Sequence, residues 1–437
     1  MLTPRAVCTK FRHRGPETAA CGNSRIIRPA GVSDNARMKA LTATLPSGEA
    51  VTYRDRKRWF WLLSVLYPLQ PLLGIALHAR TGEQAWLLLP LALTYVGGPL
   101  LDAIFGEDTN NPPRAVLPQL DRVRYYRLLT YTVVPLHFLT LIISAWWAAT
   151  AALSWWAYAG LAVVAGVTSG LGINTGHELG HKKSRLERTL AKIVLAVPAY
   201  GHFWIEHNHG HHRDVSTPED PASARMGESI YRFALREIPG AFLRAWRIER
   251  ERLLRRGQSV WSPGNRILQS LALTAALQGG LVIAFGIALI PFLLLHNLLA
   301  WWQLTSANYI EHYGLLRMKD ENGRYERCQP HHSWNSNHVY SNLALFHLQR
   351  HSDHHAHPLR RYQSLRHHDD LPALPAGYFA DFLLAYVPWL WFRVMDRRLL
   401  ALPHVRGDLS KVNVDPKRRD ALNRRYAVPA NSDRDQG

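Results

Sequence analysis

The chain has 437 residues, of which 47% are hydrophobic and 19% are charged, and its net charge is +19 at pH 7. An excess of positive charge can indicate nucleic-acid binding, but the basic residues here border long apolar segments and no nucleic-acid-binding motif is present. We therefore expect no nucleic-acid partner. The three cysteines (Cys8, Cys21 and Cys328) form no C-x-x-C pair, which excludes a disulfide framework and leaves metal binding to histidine.

The chain begins with a polar, arginine-rich stretch that has no apolar run of signal-peptide length. We predict that residues 1–53 form a disordered basic tail, within which Met38 is an alternative start. A single membrane domain should then cover residues 54–410, and a polar tail should cover residues 411–437.

Six apolar segments have the length of ~20 residues that a helix needs to cross a bilayer. They lie at about 59–78, 85–105, 128–147, 154–173, 267–285 and 287–306. The loops after the second and fourth segments are long and basic, whereas the loops after the first, third and fifth are short and poor in lysine and arginine. By the positive-inside rule, both termini and the long loops face the cytoplasm. The pattern predicts an all-α protein of the bacterial inner membrane with six transmembrane helices.

Nine histidines form four clusters, all on the side that the charge pattern marks as cytoplasmic. They are His177, His181, His207, His211, His212, His312, His351, His354 and His355. Residues at i and i+4 share one helix face, so His177 should pair with His181 and His207 with His211, while His212 turns about 100° away toward a second metal. His351 should pair with His354 or His355. Nine imidazoles are too many for one ion and enough for two, and imidazole suits iron, zinc and copper.

Five carboxylates lie within or beside these clusters. A metal-bound histidine usually donates its other ring N–H to a carboxylate or carbonyl, which fixes the ring. We predict this supporting role for Glu178, Glu206, Asp220, Glu311 and Asp353.

Two other classes of protein remain open at this point. The sequence HELGH at 177–181 satisfies the H-E-x-x-H pattern of zinc proteases, although a protease would leave most of the clustered histidines unexplained. A metal transporter is the other alternative, but transport sites lie near the bilayer midplane and not on one face.

At these clusters the sequence closely resembles the AlkB-type membrane alkane 1-monooxygenases, within the wider superfamily of integral-membrane di-iron desaturases and hydroxylases. The resemblance covers about residues 54–410, and its longest matching stretches are 105–113, 174–184, 206–229, 301–317 and 331–366. It implies a six-helix enzyme with a cytoplasmic-facing di-iron site, whose two iron ions are held by the nine histidines, and no haem or flavin. A fatty-acyl or terpene hydroxylase or desaturase on the same scaffold is the alternative.

The resemblance also implies the reaction and its partners. The expected substrate is a medium- or long-chain n-alkane that enters from the lipid phase and leaves as a primary alcohol, with dioxygen as the oxidant. Electrons are expected from NAD(P)H through rubredoxin reductase and rubredoxin.

Two surfaces are candidates for binding these partners. Small residues in the second segment, Thr94, Val96, Gly97 and Gly98, are predicted to line a substrate tunnel, unless the glycines simply allow close helix packing. A basic patch near the C-terminus is a candidate docking surface for an acidic electron donor. We call it the C-terminal basic patch, and it consists of Lys417, Arg418, Arg419, Arg424 and Arg425.

Overall fold

The computed structural model describes residues 40–426. In it the six apolar segments form six helices, each long and apolar enough to cross a membrane. The helices are α1 (Phe60–Thr81), α2 (Gln84–Phe105), α3 (Arg124–Thr150), α4 (Trp155–Gly180), α7 (Arg266–Phe285) and α8 (Ile287–His312). The predicted fold class of a helical membrane protein with six transmembrane helices is confirmed.

Helices α4 and α8 are longer than hydropathy predicts. The HELGH cluster was expected to follow the fourth helix, and His312 to follow the sixth. Instead α4 continues through His177, and α8 ends at His312. Backbone hydrogen bonds carry the helix beyond its apolar part, and the polar side chains there are buried within the protein.

The helix α4 lies at the centre of the bundle: 72% of its apolar window is buried, against 17% for α7. Glycines let α4 approach α8 closely. A Cβ added at Gly166 would lie 2.5 Å from the carbonyl oxygen of His296, and one at Gly170 would lie 2.5 Å from the Cβ of Gln303. Small residues serve this purpose at helix crossings in membranes.

Large apolar side chains cover the outside of the bundle. Ile283 is 88% exposed, Trp155 is 82% exposed and Leu294 is 64% exposed. Such a surface suits hydrocarbon and not water, so the chain is an integral membrane protein.

The remaining helices include the segments that carry most of the histidines. They are α5 (Arg185–Ala196), α6 (Ile230–Leu254), α9 (Val339–Ala344), α10 (His351–Ala356), α11 (Tyr378–Ala385), α12 (Pro388–Leu400) and α13 (Arg419–Tyr426). Between α5 and α6, residues 203–214 form one helical segment made of Phe203–Glu206, a π-helical turn at His207–His211, and His212–Asp214. Shorter helical turns lie at Arg114–Val116, Leu117–Leu120, Pro330–His332, Tyr362–Ser364, Leu409–Lys411 and Pro416–Arg418.

The prediction of a disordered tail over residues 1–53 is wrong for its last part. Strand β1 (Leu41–Thr44) pairs antiparallel with β2 (Ala50–Tyr53), so the protein also contains a two-stranded sheet. The turn between them contains Gly48 at a φ of +87°, which glycine adopts without strain. The alternation of apolar and polar residues on both sides of this turn is the signal of a hairpin. Residues 1–39 lie outside the described part of the chain.

The predicted polar tail at 411–437 is also partly folded. The Met226 N–H donates to the Asn413 carbonyl at 2.8 Å, and the Asp415 N–H donates back to the Met226 carbonyl at 3.0 Å. Val412, Val414 and Leu422 are buried. The structured region therefore continues to at least Tyr426, and residues 427–437 lie outside the described range.

Candidate metal centre

The nine predicted histidines converge into two groups of ring nitrogens. In each group, the potential ligand atoms lie within 4.8 Å of one another. The first group consists of His177, His181, His207, His212 and His354, and the second consists of His211, His312, His351 and His355. All four sequence clusters contribute, although they are separated by up to 178 residues along the chain.

The spacing of the nitrogens fits a metal ion in each group. The Nε2 atoms of His177 and His354 are 2.9 Å apart, and those of His351 and His355 are also 2.9 Å apart. Two nitrogens bound at right angles to one ion, each about 2.1 Å from it, would be about 3 Å apart. The Nε2 atoms of His181 and His211 are buried and have no hydrogen-bond partner among residues 40–426. A cation would satisfy these lone pairs.

The pairing of the histidines follows the sequence prediction in two of three places. His177 and His181, four residues apart on α4, share the first group, and His351 and His355 share the second. The prediction that His207 pairs with His211 is wrong, because His207 lies with His212 in the first group and His211 lies in the second.

The π-helical turn is the reason for this difference. The N–H of His212 donates to the carbonyl of His207, five residues back. In such a turn, residues five apart lie on the same face of the helix, in place of residues four apart. The Nε2 atoms of His207 and His212 are 3.0 Å apart. Single π-helical turns of this kind often occur at functional sites.

His312 ends α8 and joins the second group through its Nε2, which is 3.1 Å from the Nε2 of His351. Its Nδ1 is 3.2 Å from the backbone carbonyl of His332 and can donate a hydrogen bond to it. That contact fixes the ring and leaves the Nε2 lone pair directed into the group.

Two of the five predicted carboxylates contact a clustered histidine. The Oδ2 of Asp220 accepts a hydrogen bond from the Nδ1 of His211 at 2.9 Å, and both residues are buried. This is the arrangement predicted for a carboxylate that orients a metal ligand. Glu311 differs, because its Oε2 lies 3.4 Å from the Nε2 of His351, on the metal-facing side of the ring.

The other three carboxylates pair with cations, and the prediction that they hold ligand histidines is wrong. Glu178 pairs with Lys182 at 3.0 Å, and Glu206 forms an ion pair with Arg244. The Oδ1 of Asp353 accepts from Arg360 at 2.6 Å. Each neighbours a ligand histidine in sequence but points to another side of its helix.

Burial determines the protonation of six of the clustered imidazoles, and neighbouring positive groups determine that of Asp220. Burial lowers the pKa of these imidazoles well below its usual range, which keeps them neutral as metal ligands must be. This holds for His181, His207, His212, His351, His354 and His355. Burial would raise the pKa of Asp220, but His211 and Arg244 outweigh it and hold that pKa below its usual range.

A third group, formed by Glu326, His331 and His332, also has ligand atoms within 4.8 Å of one another. The Nδ1 of His332 accepts a hydrogen bond from the Gln329 N–H at 2.9 Å. In a neutral ring the proton must then lie on Nε2, which faces Glu326 at 3.4 Å. This tautomer has no lone pair left for a metal.

A mostly apolar cavity leads to the two histidine groups. His177 and His207 of the first group and His351 of the second line it, together with Glu311. The cavity wall was largely missed by sequence reasoning: Asn174, Phe203, Gln303, Phe379 and Phe382 line it as well. Phenylalanines in apolar stretches carry no pattern that separates a cavity wall from ordinary core.

None of the four predicted tunnel residues lies among the residues that line this cavity. Val96 is 59% exposed on the outer surface. A Cβ at Gly98 would lie 2.9 Å from the Phe379 ring, so this glycine permits close packing. Thr94 is buried, and its hydroxyl is 3.0 Å from that of Tyr67, which does line the cavity. Thr94 and Gly98 therefore contact the Tyr67 and Phe379 side chains that line the cavity, and they do not line it themselves.

A polar cleft of about 590 Å³ lies beside α10. Arg114, Arg360, Arg366 and His368 line it, with Asp353 among them. The backbone N–H of Arg366 donates to Asp353 at 3.0 Å. A second aspartate, Asp121, also lines the cleft, so that its three arginines face two carboxylates. The cleft reaches the residue between His351 and His354, and we call it the Asp353 cleft.

Comparison with known proteins identifies the class. Residues 153–393 match the family model described as fatty acid desaturase. The chain is 56% identical over 380 residues to alkane 1-monooxygenase of Ectopseudomonas oleovorans, which covers 87% of this chain and 94% of that protein. It is 55% identical over 389 residues to alkane 1-monooxygenase of Pseudomonas putida, covering 89% and 96%. It is also 30% identical over 256 residues to the xylene/toluene monooxygenase hydroxylase component XylM of Pseudomonas putida, covering 58% and 62%.

The family-model match, residues 153–393, includes all nine clustered histidines. The chain therefore belongs to the alkane 1-monooxygenases within the fatty acid desaturase family, and it is an oxidoreductase. The protease and transporter alternatives do not fit this membership.

Proposed function

We propose that the protein hydroxylates the terminal methyl group of medium- or long-chain n-alkanes to give primary alcohols, using dioxygen and two irons held by the nine clustered histidines. The observation that carries the proposal is the cavity whose mostly apolar wall ends at His177, His207 and His351, so that it touches both groups of imidazoles. A chain bound there would present its end to both metal positions.

The chemistry of the substrate determines what the irons must supply and what the protein must supply. An unactivated C–H bond needs an oxidant stronger than any side chain, and the irons would supply that chemistry. The protein supplies the rest. Its apolar wall binds a chain that has no polar group, and the packed side chains exclude water from the site. A chain lying along the cavity would bring its end, and not its middle, to the histidines.

The ligand sets favour two ions of a metal that accepts several imidazoles. The first group offers five nitrogens, and the second offers four with the Glu311 carboxylate beside them. Imidazole alone does not distinguish iron from zinc or copper. Family membership and the need to activate dioxygen favour iron, and we propose one ion in each group.

Electrons must come from another protein, and we propose rubredoxin, reduced by its NAD(P)H-dependent reductase, as the donor. The Asp353 cleft is a better candidate docking surface for rubredoxin than the C-terminal basic patch. Asp353 lies between the ligands His351 and His354, and residues two apart on a helix point about 200° apart. A carrier docked at the cleft would therefore be separated from His351 by the thickness of α10.

The cleft also has a small excess of positive charge, because its three arginines outnumber the two aspartates, Asp121 and Asp353. Arg114 and Arg366 lie at its wall, while Arg360 is neutralised by Asp353. Charge complementarity of this kind speeds the encounter between proteins and is weakened by salt.

We further propose that the histidine groups, the Asp353 cleft and both chain ends face the cytoplasm of a bacterial inner membrane. The long loops are basic, and the charge rule places such loops inside. Labelling of Cys328 with a membrane-impermeant thiol reagent, in a chain with Cys8→Ser and Cys21→Ser, tests the side. Reaction in inverted vesicles and not in intact spheroplasts supports the cytoplasmic side, and the reverse contradicts it.

The reaction is tested with membranes containing the full-length protein, rubredoxin, its reductase, NADH and a series of n-alkanes. We expect primary alcohols, identified by chromatography, and their loss in His177→Ala. An iron-loaded protein that makes no alcohol from any alkane in the series would contradict the proposal, as would alkene products.

A further inference from the structure

The short helix α5 has three faces, each with its own kind of side chain. Glu187, Ala191 and Val194 are buried and form the inward face. Helix positions three, four or seven residues apart fall within an arc of about 60°. A second face therefore carries Arg185, Arg188 and Lys192, and a third carries Leu186, Leu190 and Ile193. We call these the basic face and the apolar face of α5.

The protein does not neutralise the basic face of α5. Glu187 is the only acidic residue of this helix, and its Oε1 lies 2.8 Å from the Nη1 of Arg361 on the inward side. Arg185 and Arg188 are exposed, and neither forms an ion pair among residues 40–426. Unpaired cations on one face of a helix produce a local positive field that attracts anions.

Lys192 places the basic face close to the start of a membrane helix. Its Nζ donates to the Oε1 of Gln269 at 3.3 Å, and Gln269 is the fourth residue of α7, which begins at Arg266. Within the described residues, Lys192 forms no ion pair either. Burial, and then the nearby charge of Arg266, lower the pKa of Lys192. An anion beside the amine would offset this repulsion.

The apolar face of α5 is not fully covered by the protein. Leu186 is 55% exposed, and Leu190 and Ile193 are only partly buried. A helix with apolar side chains on one face and lysine and arginine on another lies at the boundary between the acyl chains and the headgroups of a bilayer. The helix α5 has this pattern, and it follows the membrane helix α4 after only four residues.

We propose that α5 lies in the headgroup layer of the membrane and that its basic face is a binding site for the phosphate of an anionic phospholipid. The apolar face contacts the acyl chains of the same layer. Two guanidinium groups and one ammonium group offer charge-assisted hydrogen bonds to phosphate oxygens. The added negative charge distinguishes an anionic lipid from a zwitterionic one, whose headgroup brings a cation of its own to the site.

The test measures lipid binding to the purified full-length protein in detergent by native mass spectrometry. Phosphatidylglycerol is compared with phosphatidylcholine of the same acyl chains, and we expect tighter binding of the first phosphatidylglycerol molecule. The variant Arg185→Gln/Arg188→Gln/Lys192→Gln should weaken that binding by roughly 100-fold, because each cation near an anionic lipid contributes about fivefold. The single variant Arg188→Gln should weaken it by about fivefold, and the affinity for phosphatidylcholine should stay the same in both.

Two control variants separate this site from general positive charge. The exchange Arg185→Lys/Arg188→Lys/Lys192→Arg keeps all three charges and should keep the preference for phosphatidylglycerol. The variant Lys417→Gln/Arg418→Gln/Arg424→Gln removes the same charge from the C-terminal basic patch and should leave the affinity for phosphatidylglycerol unchanged.

Equal affinities of the wild type for the two lipids, or equal losses in the two glutamine triple variants, would overturn the inference. A raised KM for rubredoxin in the α5 triple variant, with lipid binding unchanged, would make the basic face a protein-docking surface and would also overturn it. Lipid binding is measured without turnover, so a failure of the proposed function would be a separate result.

Discussion

The apolar cavity and the Asp353 cleft meet the same short helix from different sides. On α10, His351 lines the cavity, and Asp353, two residues later, lines the cleft. The cavity wall is dominated by aliphatic and aromatic side chains, whereas the cleft contains three arginines, two histidines and two aspartates. Under the proposed function, one layer of histidines would serve two partners: an apolar chain on the cavity side and a charged electron-transfer protein on the cleft side.

Variants in the cavity, in the cleft and in the histidine layer should therefore have different effects. A change on the cavity side should alter which substrate is used, a change on the cleft side should alter how the electron donor is used, and a change in the histidine layer should abolish both.

The largest effect is expected in the histidine layer. His177→Ala removes a nitrogen from the first group and a wall of the cavity, so turnover of every alkane should fall by more than about 100-fold. His78→Ala is the matched control. Among residues 40–426, the His78 ring hydrogen-bonds only to Trp147 on α3, so this variant should cost less than about twofold. Full activity in His177→Ala would show that the first group is not the site.

The next effect concerns Asp220, the carboxylate that accepts a hydrogen bond from the His211 ring. Asp220→Asn weakens the contact that fixes the His211 tautomer, and alkane turnover and iron content should fall by about 10- to 100-fold. Glu249→Gln is a close match, because Glu249 is equally buried and pairs with Arg252 and Arg266 but touches no histidine. If both variants lost iron equally, general destabilisation and not ligand orientation would be the cause.

On the cavity side, Thr94→Trp should move the preferred alkane to shorter chains. Thr94 is buried behind Tyr67, so an indole there would push the Tyr67 ring toward the cavity. Product yields across an alkane series measure the shift. Val96→Trp places the same group two residues away on the exposed surface and should leave the profile as it is. A shift in both variants, or in neither, would contradict the cavity as described.

The smallest effect is expected in the cleft. Arg114→Glu should raise the KM for rubredoxin by roughly two- to fivefold at low ionic strength, because exposed charge pairs contribute little each, and the difference should shrink with added salt. The alkane profile should stay the same. Arg424→Glu in the C-terminal basic patch is the control, and a larger effect there would place docking at that patch.

The sequence predicted the membrane helices and the nine histidines because both follow from local patterns. Hydropathy located α1 to α4, α7 and α8, and helical spacing paired His177 with His181. The assignment of His207 failed because a π-helical turn is a detail of backbone hydrogen bonding that residue identities do not reveal. Three carboxylates were misassigned for a related reason, since closeness in sequence does not say which face of a helix a side chain takes.

Other features depend on contacts between distant segments and could not be predicted. The position of Gln303 in the cavity wall depends on packing against Gly170 on α4 and on a hydrogen bond from Tyr95 on α2, which lie 133 and 208 residues away. The Asp353 cleft likewise joins Arg114 to residues near 360. The β-hairpin at 41–53 was predictable from its alternation, but the polar composition of the whole N-terminal stretch outweighed it.

The most direct test of the central claim is the metal content of the purified full-length protein combined with X-ray absorption at the iron edge. We expect two irons per chain, each surrounded mainly by imidazole nitrogens at about 2.1 Å and by no sulfur. A single iron, zinc in its place, or a shell dominated by oxygen would contradict the claim that the nine histidines hold a pair of irons.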